Sequence, residues 1–435
     1  MTSFYDVLKR EHGGCPTDCL ACEEDCAQEK GGEARIKSVH VPEVGFRGVV
    51  SCLQCGEPAC MPVCPLGAIT KSENDGVVRI NESKCVGCGL CNMACPYGGI
   101  YLDSEEGVAR KCDTCDGEMK CVQACQYEVL SVGRSRTILS YLDEDIVSPG
   151  TPTCPGCMGM LSGRFALRIL AKDKRAVILS CPGCTPFVAA MSAIPCQFCL
   201  MPHVAAVASG IKRQYVSSGK EDIRVIAFVG DGATADVGFQ SLSGAAERDE
   251  SIIFICSDNE AYMNTGIQRS STTPLAAWTF TTPIGNLRQG KEQQAKYMPL
   301  IMAFHGAAYV ATATMAYPED YAQKLTRALE VKDGLVYIHL FSPCPPGWRA
   351  PIDSGIEISR MAVQTNYFPL WEAERGRFRF THRERSPRPI GEFTQLMDRF
   401  SHLDTKALEK LQKTVDDRYQ IIESLCNRDS QSNGN

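Results

Sequence analysis

The sequence predicts two unlike folds in one chain: a small cysteine-rich, cluster-binding domain, then a larger α/β domain built on a parallel sheet flanked by helices. Three observations carry this. Sixteen of the 25 cysteines fall between Cys15 and Cys125, in four groups of four. Longer apolar segments begin only at Phe165. "RVIAFVG" and "SIIFICSDN" are continuous apolar runs of strand length, separated by the small-residue helical pattern "ADVGFQSLSGAAER". That is a βαβ unit, and a right-handed crossover lays its two strands in one parallel sheet.

At 435 residues the chain has room for two or three domains. The Pro/Gly-punctuated stretch "SRTILSYLDEDIVSPGTPT" reads as a connector. The expected division is a first domain over 1–135, a linker over 136–152, a second domain over 153–425 and a polar tail over 426–435. A net charge of −6, with no basic run, argues against nucleic-acid partners. No apolar run reaches membrane-span length, and "MTSFYDVLKR" has no signal-peptide core. Many cysteines in a long chain of this kind point to thiolates kept for metal in a reducing cytoplasm.

The four N-terminal groups are Cys15, Cys19, Cys22 and Cys26; Cys52, Cys55, Cys60 and Cys64; Cys85, Cys88, Cys91 and Cys95; and Cys112, Cys115, Cys121 and Cys125. The third, "CVGCGLCNMACP", has the two-two-three spacing and trailing Pro of a bacterial ferredoxin run. Three cysteines on a tight loop grip one 4Fe–4S cube, while the fourth points to a neighbouring cube. Groups therefore work in pairs. Zinc explains isolated Cys-x-x-Cys pairs, but not this run. "GVVRINESK" alternates as a short strand of a loop-carrying hairpin.

Residues 10–130 resemble the four-cluster electron-transfer subunits of molybdopterin oxidoreductases and formate-linked hydrogenases. The pairing this implies is Cys15, Cys19 and Cys22 with Cys125; Cys112, Cys115 and Cys121 with Cys26; Cys52, Cys55 and Cys60 with Cys95; and Cys85, Cys88 and Cys91 with Cys64. The extra residue between Cys15 and Cys19, and the missing Pro after Cys26 and Cys125, leave open two, three or four clusters here.

In the second domain Asp231 ends one strand and Asn259 the next, where parallel sheets bind ligands. An Asp carboxylate, an Asn carbonyl and a backbone carbonyl make a hard oxygen site suited to Mg²⁺ on a diphosphate. Gly230 and Gly232 let the backbone approach phosphates at a helix N-terminus. A lone "GDG" is equally a plain turn. Here Asn follows the Asp by 28 residues, within "DNEAYMNTGIQRS".

These motifs, with "TTPLAAW", "SPCPPGW" and "FPLWEAERGRFRFTHRER…DRFSHL", make residues 150–425 similar to the β subunits of 2-oxoacid:ferredoxin oxidoreductases of the pyruvate type, with a thiamine-diphosphate-binding fold. The resemblance implies that Asp231 and Asn259 bind Mg²⁺ by side chains and Ala261 by its carbonyl. Gly232 and Ala233 would cradle diphosphate, beside Gly230. Asn264 would lie at the thiazolium and substrate as a catalytic group, with Thr265 supporting its loop. A proximal 4Fe–4S cluster would take Cys154, Cys157, Cys344 and Cys184, which follows its Gly in "CPGC", with Cys181 as the alternative.

Cys181, Cys184, Cys196 and Cys199 also satisfy a zinc-ribbon spacing, against which stands a reading of the surplus cysteines as packing thiols. Cys256 reads as core and Cys426 as a free thiol near the tail. His203 is either a ligand to substrate or diphosphate or a structural histidine. Met158 and Gly159 stand where some relatives have Gly and Glu.

The implied activity is CoA-dependent oxidative decarboxylation of a 2-oxoacid, with electrons leaving through the N-terminal clusters. The aminopyrimidine-activating Glu would come from an α-type subunit, and a γ-type subunit would complete the core. The added cluster domain resembles the family branch that oxidises phenylglyoxylate and reaches NAD⁺ through a flavin subunit. Three alternatives stay open: an alkyl 2-oxoacid with ferredoxin as acceptor, a non-redox thiamine decarboxylase or ligase, and an electron-transfer subunit with a non-catalytic thiamine domain.

Overall fold

The computed structural model describes residues 6–10, 15, 16, 18–41, 46–55, 58–72, 75–103, 105–127, 129–134, 145–286, 288–384 and 386–432. The chain separates into two compact units, 1–141 and 142–435. Residues 136–144 of the expected linker lie outside the described residues.

The first unit is assembled from two-stranded pieces. Ile36–Val41 pairs with Phe46–Ser51, Ile69–Lys71 with Val78–Ile80, and Ile100–Asp103 with Val108–Lys111, all antiparallel. Asp6–Arg10 pairs with Leu130–Arg134, so the two ends of the unit close on each other. Two small cores form, and each packs cysteines among its apolar side chains. One holds Cys22, Cys26 and Cys121 with Leu8, Ile36 and Val49; the other holds Cys60 and Cys91 with Ile69, Val78 and Ile100.

The second unit centres on an eight-stranded sheet. Its strands are β1 (Ala176–Ser180), β2 (Cys196–Phe198), β3 (Arg224–Gly230), β4 (Ile253–Asp258), β5 (Tyr309–Thr314), β6 (Val336–Phe341), β7 (Leu370–Glu374) and β8 (Arg377–His382). The spatial order is β2-β1-β3-β4-β6-β5-β7-β8. The first six are parallel, and β7 and β8 continue one edge antiparallel. Strands β1, β4, β5 and β6 are buried at every position, which accounts for their unbroken apolar runs. The expected βαβ unit is present, with β3 and β4 as direct parallel neighbours.

Two boundaries differ from the sequence reading. The helix expected from Ala235 starts at Phe239 (Phe239–Glu247), after a wide π-turn over Gly232–Asp236. Such turns reshape a helix entry where backbone must face a ligand. At the other end, a helix spans Thr405–Ser432, so residues 426–432 continue it rather than forming a separate tail. Cys426 is buried on its inner face, against the main core. Among the described residues no helix is long and apolar enough to cross a membrane.

Candidate active site

Four consecutive strands of the sheet, β1, β3, β4 and β6, deliver the site residues from their carboxyl ends. Cys184 follows β1, Asp231 follows β3, Asn259 follows β4 and Cys344 follows β6. Cys154 and Cys157 precede the helix α1 (Met158–Leu170), and Cys157 caps its N-terminus. These six residues, with Gly230, Gly232, Ala261, Asn264 and Thr265, line one cavity of about 320 Å³. Ala233 lies buried in the turn just beneath.

Asp231 is almost fully buried. It accepts hydrogen bonds from the hydroxyls of Ser270 and Thr272, the latter at 3.0 Å. Thr272 also stands 2.9 Å from Asp258, whose other oxygen faces His339 Nε2 at 2.9 Å. Burial, and then the neighbouring Asp258 carboxylate, push the Asp231 carboxyl well above the usual range. Two desolvated carboxylates joined through one hydroxyl favour a cation between them and the cavity. Asp231, Asn259 and Ala261 line the same cavity, and a carboxylate, an amide carbonyl and a backbone carbonyl are hard oxygen donors that fit Mg²⁺.

Gly232 supplies the close approach that a diphosphate needs. A Cβ there would stand 2.2 Å from the Tyr262 ring. That ring is pinned by a 3.0 Å hydrogen bond from its hydroxyl to Asp236. Gly232→Ala is expected to cost ~1–3 kcal/mol of overpacking and to weaken cofactor retention. Thermal melts with and without thiamine diphosphate check both.

The Asn259 segment is tied to the Cys344 segment. Trp348, four residues past Cys344, donates its indole N–H to the Asn259 carbonyl at 2.8 Å. Its ring lies under the Arg399 guanidinium at 3.6 Å, and Arg399 donates to the buried Glu260 carboxylate. Glu260 also accepts the Tyr367 hydroxyl at 2.7 Å, and its own backbone is left-handed with φ 62°. Arg399→Met is expected to destabilise the fold by ~3–5 kcal/mol, because it strands a buried carboxylate. The double change Arg399→Met with Glu260→Gln should recover most of that loss in chemical denaturation.

The four cavity cysteines act on one another electrostatically. Burial, and then Cys184, Cys157 and Cys154, push the Cys344 thiol up to about 12. Cys184 is raised by burial and by Cys157 and Cys154, and the Asn264 amide lies 4.0 Å from its sulfur. Backbone N–H groups of Met160 and Gly159 point at the Cys157 sulfur, and that of Gly347 at Cys344. Four cysteines lining one cavity, with amide donors aimed at the Cys157 and Cys344 sulfurs, fit a 4Fe–4S cluster, which would take them as thiolates.

Cys181 faces elsewhere. It is 1% exposed and packs in the main core, against Cys199. Cys196 is exposed on β2. The four cysteines of the zinc-ribbon spacing are therefore split, with Cys184 alone in the cavity. Among the described residues no three His, Cys, Asp or Glu side chains gather as a single-ion site. Cys256 is fully buried in the core. His203 does not line the cavity, which Met201 reaches instead. Thr265 uses its hydroxyl locally, donating to Gln268 at 2.6 Å. Gly159 lines the cavity, while Met158 packs inward.

The first unit brings its cysteines together in four sets. Cys15 feels Cys19 and Cys125, and Cys22 feels Cys15 and Cys125. Cys26, Cys112, Cys115 and Cys121 line one small cavity. Cys60 feels Cys52, Cys95 and Cys55. Cys64, Cys85, Cys88 and Cys91 line another cavity. Backbone N–H groups reach Cys26 and Cys64 at 3.2 Å, Cys85 at 3.3 Å, and Cys52, Cys112 and Cys125 at 3.4 Å.

Sequence reasoning did not find Ser270, Thr272, Asp258, His339 or Arg399. Each reaches the site through tertiary packing, and no local spacing announces it.

A parallel sheet with a Gly-Asp-Gly turn at one strand end, and cysteines gathered beside it, defines a thiamine-dependent redox subunit. Comparison with known proteins makes this specific. Residues 190–340 match the C-terminal TPP binding domain of thiamine pyrophosphate enzymes, and residues 49–135 match the 4Fe-4S dicluster domain. The chain is 41% identical to the NADH-dependent phenylglyoxylate dehydrogenase subunit beta of Aromatoleum evansii, over 98% of each chain. It is 44% identical to the pyruvate synthase subunit PorB of Methanothermobacter thermautotrophicus, over 63% of this chain and 96% of the relative. It is 41% identical to the ketoisovalerate oxidoreductase subunit VorB of Pyrococcus furiosus, over 64% of this chain and 92% of the relative. The chain belongs to this family of β subunits of 2-oxoacid oxidoreductases. It is a thiamine- and iron–sulfur-dependent subunit that works with other subunits.

Proposed function

We propose that this chain is the catalytic β subunit of an enzyme that oxidises phenylglyoxylate with coenzyme A, yielding the acyl-CoA and CO₂, with NAD⁺ as final acceptor. The observation that carries the reading is the single cavity at the ends of β1, β3, β4 and β6, where a Mg²⁺-type oxygen site and four cysteines meet. When bound, thiamine diphosphate supplies the carbon nucleophile and electron sink for decarboxylation, and 4Fe–4S clusters carry electrons off singly.

Asp231 and Asn259 hold Mg²⁺ through side chains and Ala261 through its carbonyl. Gly230, Gly232 and Ala233 receive the diphosphate. Asn264 orients the substrate at the reacting carbon, and Thr265 braces its loop. Cys154, Cys157, Cys184 and Cys344 hold the proximal cluster, and the four cysteine sets of the first unit hold four more. Asp231 is the one titratable oxygen or nitrogen acid/base of Asp, Glu, His, Lys or Arg type among the described lining residues. The proton chemistry on the cofactor ring therefore falls to an α-type subunit, beside a γ-type and a flavin subunit, in a reducing cytoplasm.

Two observations favour the aryl substrate. The likeness to the phenylglyoxylate enzyme spans both units, whereas PorB matches 63% of the chain. The cavity wall is also rich in Phe187, Met160, Met201, Met263 and prolines, which suit an aromatic ring. The test is to purify the native complex, assay iron and labile sulfide, and screen 2-oxoacids with coenzyme A against viologen and NAD⁺. Phenylglyoxylate should have the highest kcat/KM. Preference for pyruvate with ferredoxin would reject the substrate, and no turnover with any 2-oxoacid would reject the reading.

A further inference from the structure

Lys111 ends the strand Val108–Lys111, directly before Cys112. Only 3% of it is exposed. Its Nζ donates to the carbonyl of Cys112 at 2.7 Å and to that of Val78, and stands 3.4 Å from Gln54 Oε1. These described partners are all neutral oxygens. A buried ammonium held only by neutral oxygens is costly unless negative charge lies close by.

The charge available is thiolate. Cys112 follows Lys111 directly, and Gln54, which stands against the Lys111 Nζ, donates its backbone N–H to the Cys52 sulfur at 3.4 Å; Cys112 and Cys52 belong to different cysteine sets. Gln54 bridges the same gap. It donates from Nε2 to the Cys112 carbonyl at 2.7 Å and accepts the Val78 N–H at 2.9 Å, from a left-handed backbone with φ 51°. Lys111 is thus a rigid positive charge between two cluster cradles.

We propose that Lys111 is a positioning residue whose fixed charge raises the reduction potentials of the two clusters beside it, those of Cys52, Cys55, Cys60 and Cys95 and of Cys26, Cys112, Cys115 and Cys121. The inference rests on the four-cluster reading above. One-electron reduction adds a negative charge to a cluster, and a buried cation stabilises that form more than the oxidised one. No bond or proton is exchanged. The same charge offsets the repulsion between two reduced neighbours. Both can then hold an electron while a two-electron oxidation is drained one electron at a time.

The experiment is an EPR-monitored redox titration of the whole complex carrying Lys111→Met, Lys111→Arg or Gln54→Glu. Iron and sulfide are counted first. In Lys111→Met, two N-terminal centres should become harder to reduce, by about tenfold in reduced-to-oxidised ratio at fixed potential, ~59 mV for one electron, with the others unmoved. Lys111→Arg should stay near the native values. Gln54→Glu keeps the lysine but places a carboxylate on it, and should lower the same two centres. It also decides the matter if Lys111→Met loses iron. Unmoved potentials in a fully loaded Lys111→Met protein, or an equal shift in Lys111→Arg, would overturn the proposal. A native iron count too low for four N-terminal clusters would instead overturn the reading beneath it.

Discussion

Asp231→Asn is expected to strip Mg²⁺ and thiamine diphosphate from the complex, yet leave the metal-free chain at least as stable as the native one. The functional loss should exceed the roughly 10–100-fold that removing an outer partner of a metal ligand costs. The stability effect has the opposite sign because Asp231 is buried beside Asp258 and linked to it through Thr272. Without a cation the two carboxylates repel in a poorly solvated place. Asn keeps the shape and the acceptor for Ser270 and Thr272 but removes one charge. Because the Asp231 carboxyl is raised above its unfolded value, the folded metal-free chain holds a proton that the unfolded chain has released. Stability of the metal-free native protein should therefore fall as pH rises from the ordinary carboxylate range toward the raised value, and Asp231→Asn should flatten that slope. Binding Mg²⁺ displaces the same proton, so cofactor retention should improve over the pH window in which stability falls. Bound thiamine and magnesium, measured beside denaturant melts across pH, check both limbs. A variant that kept its cofactor and turnover would sink the assignment of Asp231.

Much of this site was legible because chain-local motifs sit where strands end. Asp231 and Asn259 could be placed from sequence because two apolar runs fix two parallel strands, and ligands gather at their carboxyl ends. The cysteine sets were legible for a similar reason: three cysteines of a set are close in sequence, and one from another group joins them, as Cys26 joins Cys112, Cys115 and Cys121, and Cys64 joins Cys85, Cys88 and Cys91. The network behind Asp231 was not. Ser270 and Thr272 belong to the hydroxyl-rich "RSSTTP", which reads as a loop, and His339 is one polar residue in a buried strand. Arg399 lies far along the chain from Glu260, and only the closed fold stacks it on Trp348. The late start of the helix Phe239–Glu247 escaped because helical periodicity does not distinguish a π-turn from the first turn of an α-helix. The tail boundary failed differently. A polar composition near residue 426 hid a helix that is amphipathic, with Ile422 and Cys426 buried.

The choice between Cys181 and Cys184 gives the sharpest outcome. Cys184→Ala in the complex is expected to remove the proximal cluster, about four iron atoms per chain, and to reduce acceptor-linked turnover to background. Cys181→Ala should keep both. Spacing alone could not decide, since "CPGC" offers two thiols after the same strand. The strand's exit decides it physically. Cys181 directly follows β1 and still packs downward, 1% exposed, with Cys199 in the main core. Three residues further on the chain has turned through Pro182 and Gly183, whose φ of 144° is open chiefly to glycine, and Cys184 faces the cavity. There it shares electrostatic contact with Cys157 and Cys154, and Cys344 feels all three. Cys181 has no such partners beyond Cys199. Removing its sulfur leaves a small void in a packed core, a cost of ~1 kcal/mol or somewhat more, which a melt should show without loss of iron. Substrate-reduced EPR separates the cases. The signal that appears first on adding 2-oxoacid should vanish in Cys184→Ala, while the N-terminal centres remain reducible by dithionite. The reverse pattern, with iron lost from Cys181→Ala and retained in Cys184→Ala, would move the fourth ligand into the core and require β1 to end one turn earlier.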